Sequence, residues 1–161
     1  MERHVFVFAL AVLSVAVWVA SASAVSKPPT FSLLAVDNGK GQPINGFLGD
    51  RAPVAGEQFA ISDDLYKWAG TKRGAKVGSD QGIATFLSVT AKGGSNTFTV
   101  QANLSGGTVL VGGIISYKNE NPSKFTLAIT GGTGKYAGTH GYVDVHALPN
   151  NKNNLDFHLL P

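Results

Sequence analysis

The 161-residue chain has no cysteine, a single methionine and only 14% charged residues. Without cysteine there is no disulfide, no thiol nucleophile and no thiolate metal ligand. Fold stability must come from the core or from closure of a sheet. Charge of one sign is equally scarce: thirteen Lys and Arg face ten Asp and Glu, for a net +3. The nearest approach to a basic cluster is Lys67, Lys72, Arg73 and Lys76 around Trp68, which reads as a solvated bend. No nucleic-acid partner is expected from so thin a footprint. The chain also lacks a Gly-x-Ser-x-Gly elbow, a phosphate loop ending in Gly-Lys-Ser/Thr, and a His-x-x-x-His pair. Each of these absences removes a class of chemistry, and no cofactor is implied by any motif present.

A convincing helical period is missing everywhere except at the N-terminus. There Arg3 and His4 precede an apolar run from Val5 to Ala20, and Ala22-Ser23-Ala24 supplies a small-x-small cleavage pattern. The run is short for a membrane span, and a cleavage site follows it at once. The expectation is a signal peptide over 1–24 and a secreted single domain over 25–161, with no membrane association after cleavage.

What the remainder holds in abundance is glycine, twenty residues, lying between short alternating runs. Eight strands are expected, roughly 30–37, 56–66, 80–91, 96–105, 108–117, 124–131, 140–148 and 154–160. Ala91-Lys92-Gly93-Gly94-Ser95 and Ser105-Gly106-Gly107 read as hairpin turns. The stretch from Asn38 to Ala55 is the main irregular segment, long enough to cover one mouth of the fold. Hairpin-connected short strands of this number predict an all-β, eight-stranded antiparallel barrel, because closure removes the strand edges of a disulfide-free sheet. Such a barrel is wide enough to be filled by side chains or to hold one small ligand.

Period-two alternation sorts the faces. Phe59, Ile61, Asp63 and Leu65 share one face of the second strand. Asp63 is therefore a carboxylate among apolar neighbours, and either its pKa is raised or it is hydrogen-bonded. It is a candidate acid or polar anchor for a ligand; the competing reading is a bulge that turns it to water. Leu110, Gly112 and Ile114 share one face of the fifth strand, where Gly112-Gly113 either makes room for a ligand or marks a bend. In the last two strands, Tyr142, Asp144 and His146 share a face, and a hairpin centred near Asn151 is expected to set Asp144 opposite His158 and His146 opposite Asp156. These are read as exterior charge pairs rather than as a metal site.

The segment from Phe125 to Val143, FTLAITGGTGKYAGTHGYV, is a strand, a glycine turn and a second strand. Gly131, Gly132, Thr133, Gly134, Tyr136 and Gly141 resemble the signature of the dirigent and allene oxide cyclase superfamily. Upstream, Asp64-Leu65-Tyr66, a basic bend, Val77-Gly78 and Asp80-Gln81-Gly82 resemble that family's second and third strands. The resemblance implies an eight-stranded barrel, homodimers or homotrimers built through outer faces, and a ligand in the barrel. It places Ala84, Phe86 and Ser88 toward the cavity; the turn itself is expected to pack Tyr136 over the barrel end and to be capped by the Thr133 hydroxyl. The polar positions of allene oxide cyclases fall here on Leu34, Val36, Asp63, Ala84 and Ile114, of which only Asp63 is polar. That argues against allene oxide cyclase activity itself. The resemblance leaves Leu34, Val36, Phe59, Ile61, Ala84, Phe86, Gly112 and Ile114 as expected ligand contacts and Asp63 as the expected catalytic residue. Two readings stand side by side. One is a dirigent-like or cyclase-like barrel that binds a small apolar molecule and steers its cyclisation, isomerisation or coupling. The other is a non-catalytic carrier or structural exoprotein with a filled barrel.

Overall fold

A computed structural model describes residues 29–45, 52–118 and 123–160. The expected signal peptide and its cleavage site lie outside the described residues. Nine strands appear: β1 (Phe31–Asp37), β2 (Pro43–Asn45), β3 (Gln58–Trp68), β4 (Arg73–Thr90), β5 (Gly93–Leu104), β6 (Gly107–Lys118), β7 (Lys124–Gly132), β8 (His140–Leu148) and β9 (Lys152–Leu160). They hydrogen-bond in the order β1-β9-β8-β7-β6-β5-β4-β3, and β1 pairs back onto β3 to close the ring. The short β2 is an added strand against the start of β3. Every pairing is antiparallel. The fold is thus the expected closed all-β barrel of eight strands, plus one outlying strand from the irregular segment. The expectation that this segment covers a mouth falls partly on residues 46–51, outside the described residues. Of its described residues, Gly41, Gln42 and Pro43 lie at a mouth.

The largest difference from the sequence reading is β4, which begins at Arg73 rather than near 80. The basic bend is therefore mostly strand. Glycine obscured this: Gly78 and Gly82 break the apolar alternation. In the barrel, though, a Cβ at either would collide with the backbone of β5, at Asn103 and Thr99 respectively. These glycines let two strands approach closely. Register shifts near Leu65, Tyr66 and Trp68 bend β3 alongside them.

The inward face is a continuous apolar core. It includes Leu33 and Ala35 of β1, Leu65 of β3, Val109 and Val111 of β6, Leu127 and Ile129 of β7, Val143 and Val145 of β8, and Phe157 of β9. Phe157 is stacked on Phe31 with ring centroids 4.7 Å apart. At the same end a 3₁₀ turn, Gly134–Tyr136, drops Tyr136 into the core, where it meets Phe31. Tyr136 thus packs over the barrel end, as expected of it in this turn. Thr133 does not cap its own turn. Its hydroxyl pairs instead with that of Thr108 at 2.8 Å and accepts from the Thr108 N–H at 3.2 Å, tying the turn to the start of β6.

Candidate acid–base and ligand site

Among the described residues the opposite mouth is open. A pocket of about 770 Å³ lies between the ends of β1, β3, β4, β5, β6, β7 and the β8–β9 turn. That volume suits a small organic ligand. Its wall is aromatic: Phe59, Phe86, Phe98 and Phe125, with Ile61 and Ile115. Phe59 and Phe86 are tilted at 6.0 Å, and Phe98 and Phe125 are near-parallel at 5.8 Å. The local cause is period-two alternation: each ring alternates along its strand with outward residues, and the register sets Phe59 opposite Ala84 and Ala84 opposite Phe98.

Into this apolar wall the fold brings a row of carboxylates. Register pairs Asp37 of β1 with Asp63 of β3, and Asp63 with Asp80 of β4. Directly opposed residues on adjacent strands point to the same face, which here is the interior, since the next position in the row is the core residue Ala102. The Asp63 N–H donates to Asp80 Oδ1 at 3.1 Å. Burial pushes the Asp63 carboxyl up to about 6, helped by the negative charges of Asp37 and Asp64. Asp80 is only 4% exposed. Burial first, then the charge of Asp63, push it up to about 7, against the lowering effect of the Asp63 N–H bond. Two adjacent carboxyls raised in this way share protons rather than both ionising near neutral pH. By contrast, Asp64 points to the outer face, where the Lys76 ammonium at 2.8 Å holds its carboxyl below the usual range.

Several further polar residues line the pocket, among them Ser62, Asn96, Asn150 and Lys152. Asn96 is 4% exposed, and its side-chain oxygen has no hydrogen-bond partner among the described residues. A buried acceptor left open is costly unless something fills it. Asp63 and Asn96 thus present acceptor or proton-bearing atoms within a slot of phenyl rings.

Of the residues singled out from sequence, Asp63, Phe59, Ile61 and Phe86 line this pocket. Ala84 faces inward but is fully buried below the lining. Four others face away. In β1 the inward residues are Leu33 and Ala35, so Leu34 and Val36 take the outer face; Leu34 is buried there, with Tyr66 and Asn154 as its cross-strand neighbours. In β6, Val109, Val111 and Ile115 are buried, while Ile114 is 65% exposed. Gly112 and Ile114 therefore lie outside, and Gly113 is the glycine that faces the core, against Leu127. Both strands are apolar on both faces, so alternation alone could not choose. The sequence reading also missed Asp80, Asn96, Phe98 and Phe125. Asn96 and Phe98 alternate on one face of β5, a signal that was available. Asp80 sits between Gly78 and Gly82 and had none.

The β8–β9 hairpin turns at Asn150 and Asn151, both with positive φ. Its register differs from the expected one: Asp144 faces Asp156, Tyr142 faces His158 and His146 faces Asn154. The expected partners meet diagonally, His158 Nε2 to Asp144 Oδ2 at 3.4 Å and His146 Nε2 to Asp156 Oδ2 at 3.7 Å. Tyr142 stacks on His158 at 4.4 Å. The group lies on the outer face, as expected, away from the pocket.

Solved structures resemble this barrel over most of its length. A pyocyanin demethylase is 27% identical, with a TM-score of 0.62, over 80% of this chain and 99% of that one. A pterocarpan synthase dirigent protein is 20% identical with a TM-score of 0.60, over 81% and 94% of the two chains. An exo-specific intermolecular Diels–Alderase is 16% identical with a TM-score of 0.57, over 78% and 93%. The last two, at such identities, speak for the fold alone. No curated protein sequence matches the chain. The sequence signature, the closed barrel and a match of residues 45–159 to the family model make this chain a member of the allene oxide cyclase barrel like domain family.

Proposed function

We propose that this barrel binds a small, largely apolar aromatic molecule in the open mouth and steers its isomerisation, cyclisation or coupling without a cofactor. The observation that carries this reading is the Asp63–Asp80 pair at the wall of an open, phenyl-lined pocket. Asp63 touches the pocket and is the catalytic residue: near neutral pH it can give a proton to, or take one from, a bound ligand. Asp80 lies behind it as a positioning residue, fixing the Asp63 backbone and keeping one proton on the pair. The Phe59, Phe86, Phe98 and Phe125 rings restrict the ligand to few conformers, which lowers the entropic part of a ring-closing or coupling barrier. Asn96 gives a fixed acceptor for a hydroxyl or N–H of the ligand. The relatives named for demethylation, pterocarpan synthesis and Diels–Alder chemistry support a family in which such barrels act on small molecules. The pocket between the described residues supports a ligand-holding barrel over a filled one, while the missing polar positions of allene oxide cyclases remain the support for a non-catalytic carrier.

The test is native mass spectrometry of the protein from its source, followed by organic extraction and turnover of whatever is released. A stoichiometric aromatic molecule is expected. The Asp63→Asn variant should retain the barrel and the ligand while turnover falls roughly 10²- to 10⁴-fold. A protein that carries nothing and takes up no apolar dye would end this reading.

Two further parts of the proposal concern the whole chain. The N-terminal pattern supports export, checked by locating the protein and sequencing its mature N-terminus. The outer faces of β4 and β6 expose Ile83, Leu87, Leu110 and Ile114, with Thr85, Thr97 and Thr99 beside them and no charge at the positions between. An uncharged apolar face of this kind fits a second copy of itself. Sedimentation should show a dimer or trimer, and Ile114→Asp should convert it to monomer with the pocket intact. A monomeric parent protein would refute the association.

A further inference from the structure

The barrel has a second recess, at the end opposite the acidic mouth. It measures about 440 Å³ and is lined by Phe31, Leu33, Trp68, Val77, Leu104 and Tyr136, with Ser32, Ser105, Lys67 and Lys135. Every charge in that lining is positive. Lys67 occupies an inward position of β3, two residues beyond the core residue Leu65 and in register with Leu33. Alternation therefore aims it over the recess rather than out from the wall. Lys135 arrives from the glycine turn. Its stem lies where a side chain on Gly106 would be, and its Nζ sits 4.9 Å from the centre of the Tyr136 ring. Among the described residues neither lysine has a carboxylate within ion-pair distance. The two ends of the barrel thus differ in charge: Asp37 and Asp63 outnumber Lys152 in the lining of the first mouth, whereas lysines are the only charged residues lining this recess.

We infer that this recess is a second binding site, distinct from the acidic mouth, for a small amphipathic anion: one sulfonate, carboxylate or phosphate group attached to a ring or short chain. The anion sits between Lys67 and Lys135; the Lys135 stem already lies against the Gly106 turn, so less of its side-chain entropy is lost on binding. The apolar part enters the recess against Trp68, Leu104 and Tyr136, where removal from water supplies the rest of the affinity. Ser105 offers a hydroxyl at the rim. The argument does not rest on the catalytic reading of the Asp63–Asp80 pair, since no residue is shared between the two linings.

The test uses 2-naphthalenesulfonate as probe, with neutral 2-naphthol as control, followed by amide chemical shifts and by calorimetry. The sulfonate is expected to shift the amides of Ser105, Gly106 and Lys135 and the Trp68 indole N–H. Its affinity is expected to fall roughly tenfold or more in Lys67→Gln/Lys135→Gln, and to fall with added salt. The naphthol is expected to bind elsewhere, or alike in both proteins. Asp63→Asn is expected to leave sulfonate binding unchanged. Shifts confined to the acidic mouth, or equal sulfonate affinity in parent and double variant, would overturn the assignment. Should the double variant fold poorly, Lys67→Gln alone, at an exposed position, gives the same reading with a smaller loss.

Discussion

Replacing Asp80 by asparagine is expected to stabilise the folded protein at pH 8 and to flatten its stability between pH 4 and pH 7. The reason is the direction of the shift. Asp80 rises from 3.8 to about 7 on folding, first because it is buried and then because Asp63 is negative. Between those two values the unfolded chain has lost a proton that the folded chain keeps. The native state therefore binds more protons, and stability falls as pH rises through that window. Below pH 4 both states are protonated and the penalty is absent; above about 7 it is complete. A shift of this size costs the folded state on the order of 4 kcal/mol, though Asp80 shares it with Asp63, whose own rise to about 6 has the same sign. Asparagine has nearly the shape of aspartate and keeps the oxygen that accepts from the Asp63 N–H. It carries no charge to bury. Urea titrations at pH 4.5 and pH 8 should show parent stability lower at the higher pH, and a variant that gains roughly 2 kcal/mol or more there. The outer Asp64, lowered by Lys76, acts in the opposite sense, losing its contribution only as pH falls below the ordinary carboxylate range. A variant less stable than the parent at pH 8 would mean that the carboxylate is compensated in a way the geometry does not contain. The same measurement bears on function. On the proposed function, a costly carboxyl pair beside the pocket is the stability–activity conflict expected of a catalytic site.

The second large effect concerns the glycine turn. Gly134→Ala is expected to destabilise the protein by roughly 4 kcal/mol or more, and Gly138→Ala by about 1 kcal/mol. Both glycines have positive φ, +59° and +73°, so both variants bear the left-handed penalty of an L-residue. The difference lies in the neighbours. A Cβ on Gly138 meets nothing within 4 Å, whereas one on Gly134 collides with the carbonyl oxygen of Gly106 and comes to 3.0 Å from the Gly107 Cα. Those atoms are backbone, held by the Lys135 N–H bond to Gly106 at 2.8 Å and the Thr133 N–H bond to Thr108 at 2.9 Å. The turn cannot step back without releasing Tyr136, the plug of this barrel end. Denaturant midpoints for the two variants give the comparison directly. Equal losses would show that close packing against the β5–β6 hairpin does not explain why the signature needs glycine there.

These two sites mark how far the chain could be read by itself. The number of barrel strands, their antiparallel hairpins and the inward placement of Asp63 follow from local patterns. Glycine-rich turns separate the strands, and in β3 one apolar face carries Asp63 among Phe59, Ile61 and Leu65. Tyr136 over the barrel end was legible as the aromatic of a glycine turn between two strands. Where both faces of a strand are apolar, as in Phe31–Val36 and Val109–Ile115, period two gives two equal solutions. Pairing to β9 and β3, and to β5 and β7, decided that Leu33, Ala35 and Ile115 face in while Leu34, Val36, Gly112 and Ile114 do not. Asp80 marks the same boundary. Flanked by glycine, it has no apolar pattern of its own. Only the register of β4 between β3 and β5 sets it beside Asp63, out of water, where two ordinary aspartates become a proton-sharing pair. Alternation along a strand is a local property that the sequence determines; the neighbours across the sheet, and the charge a side chain can hold among them, were decided by the closed barrel.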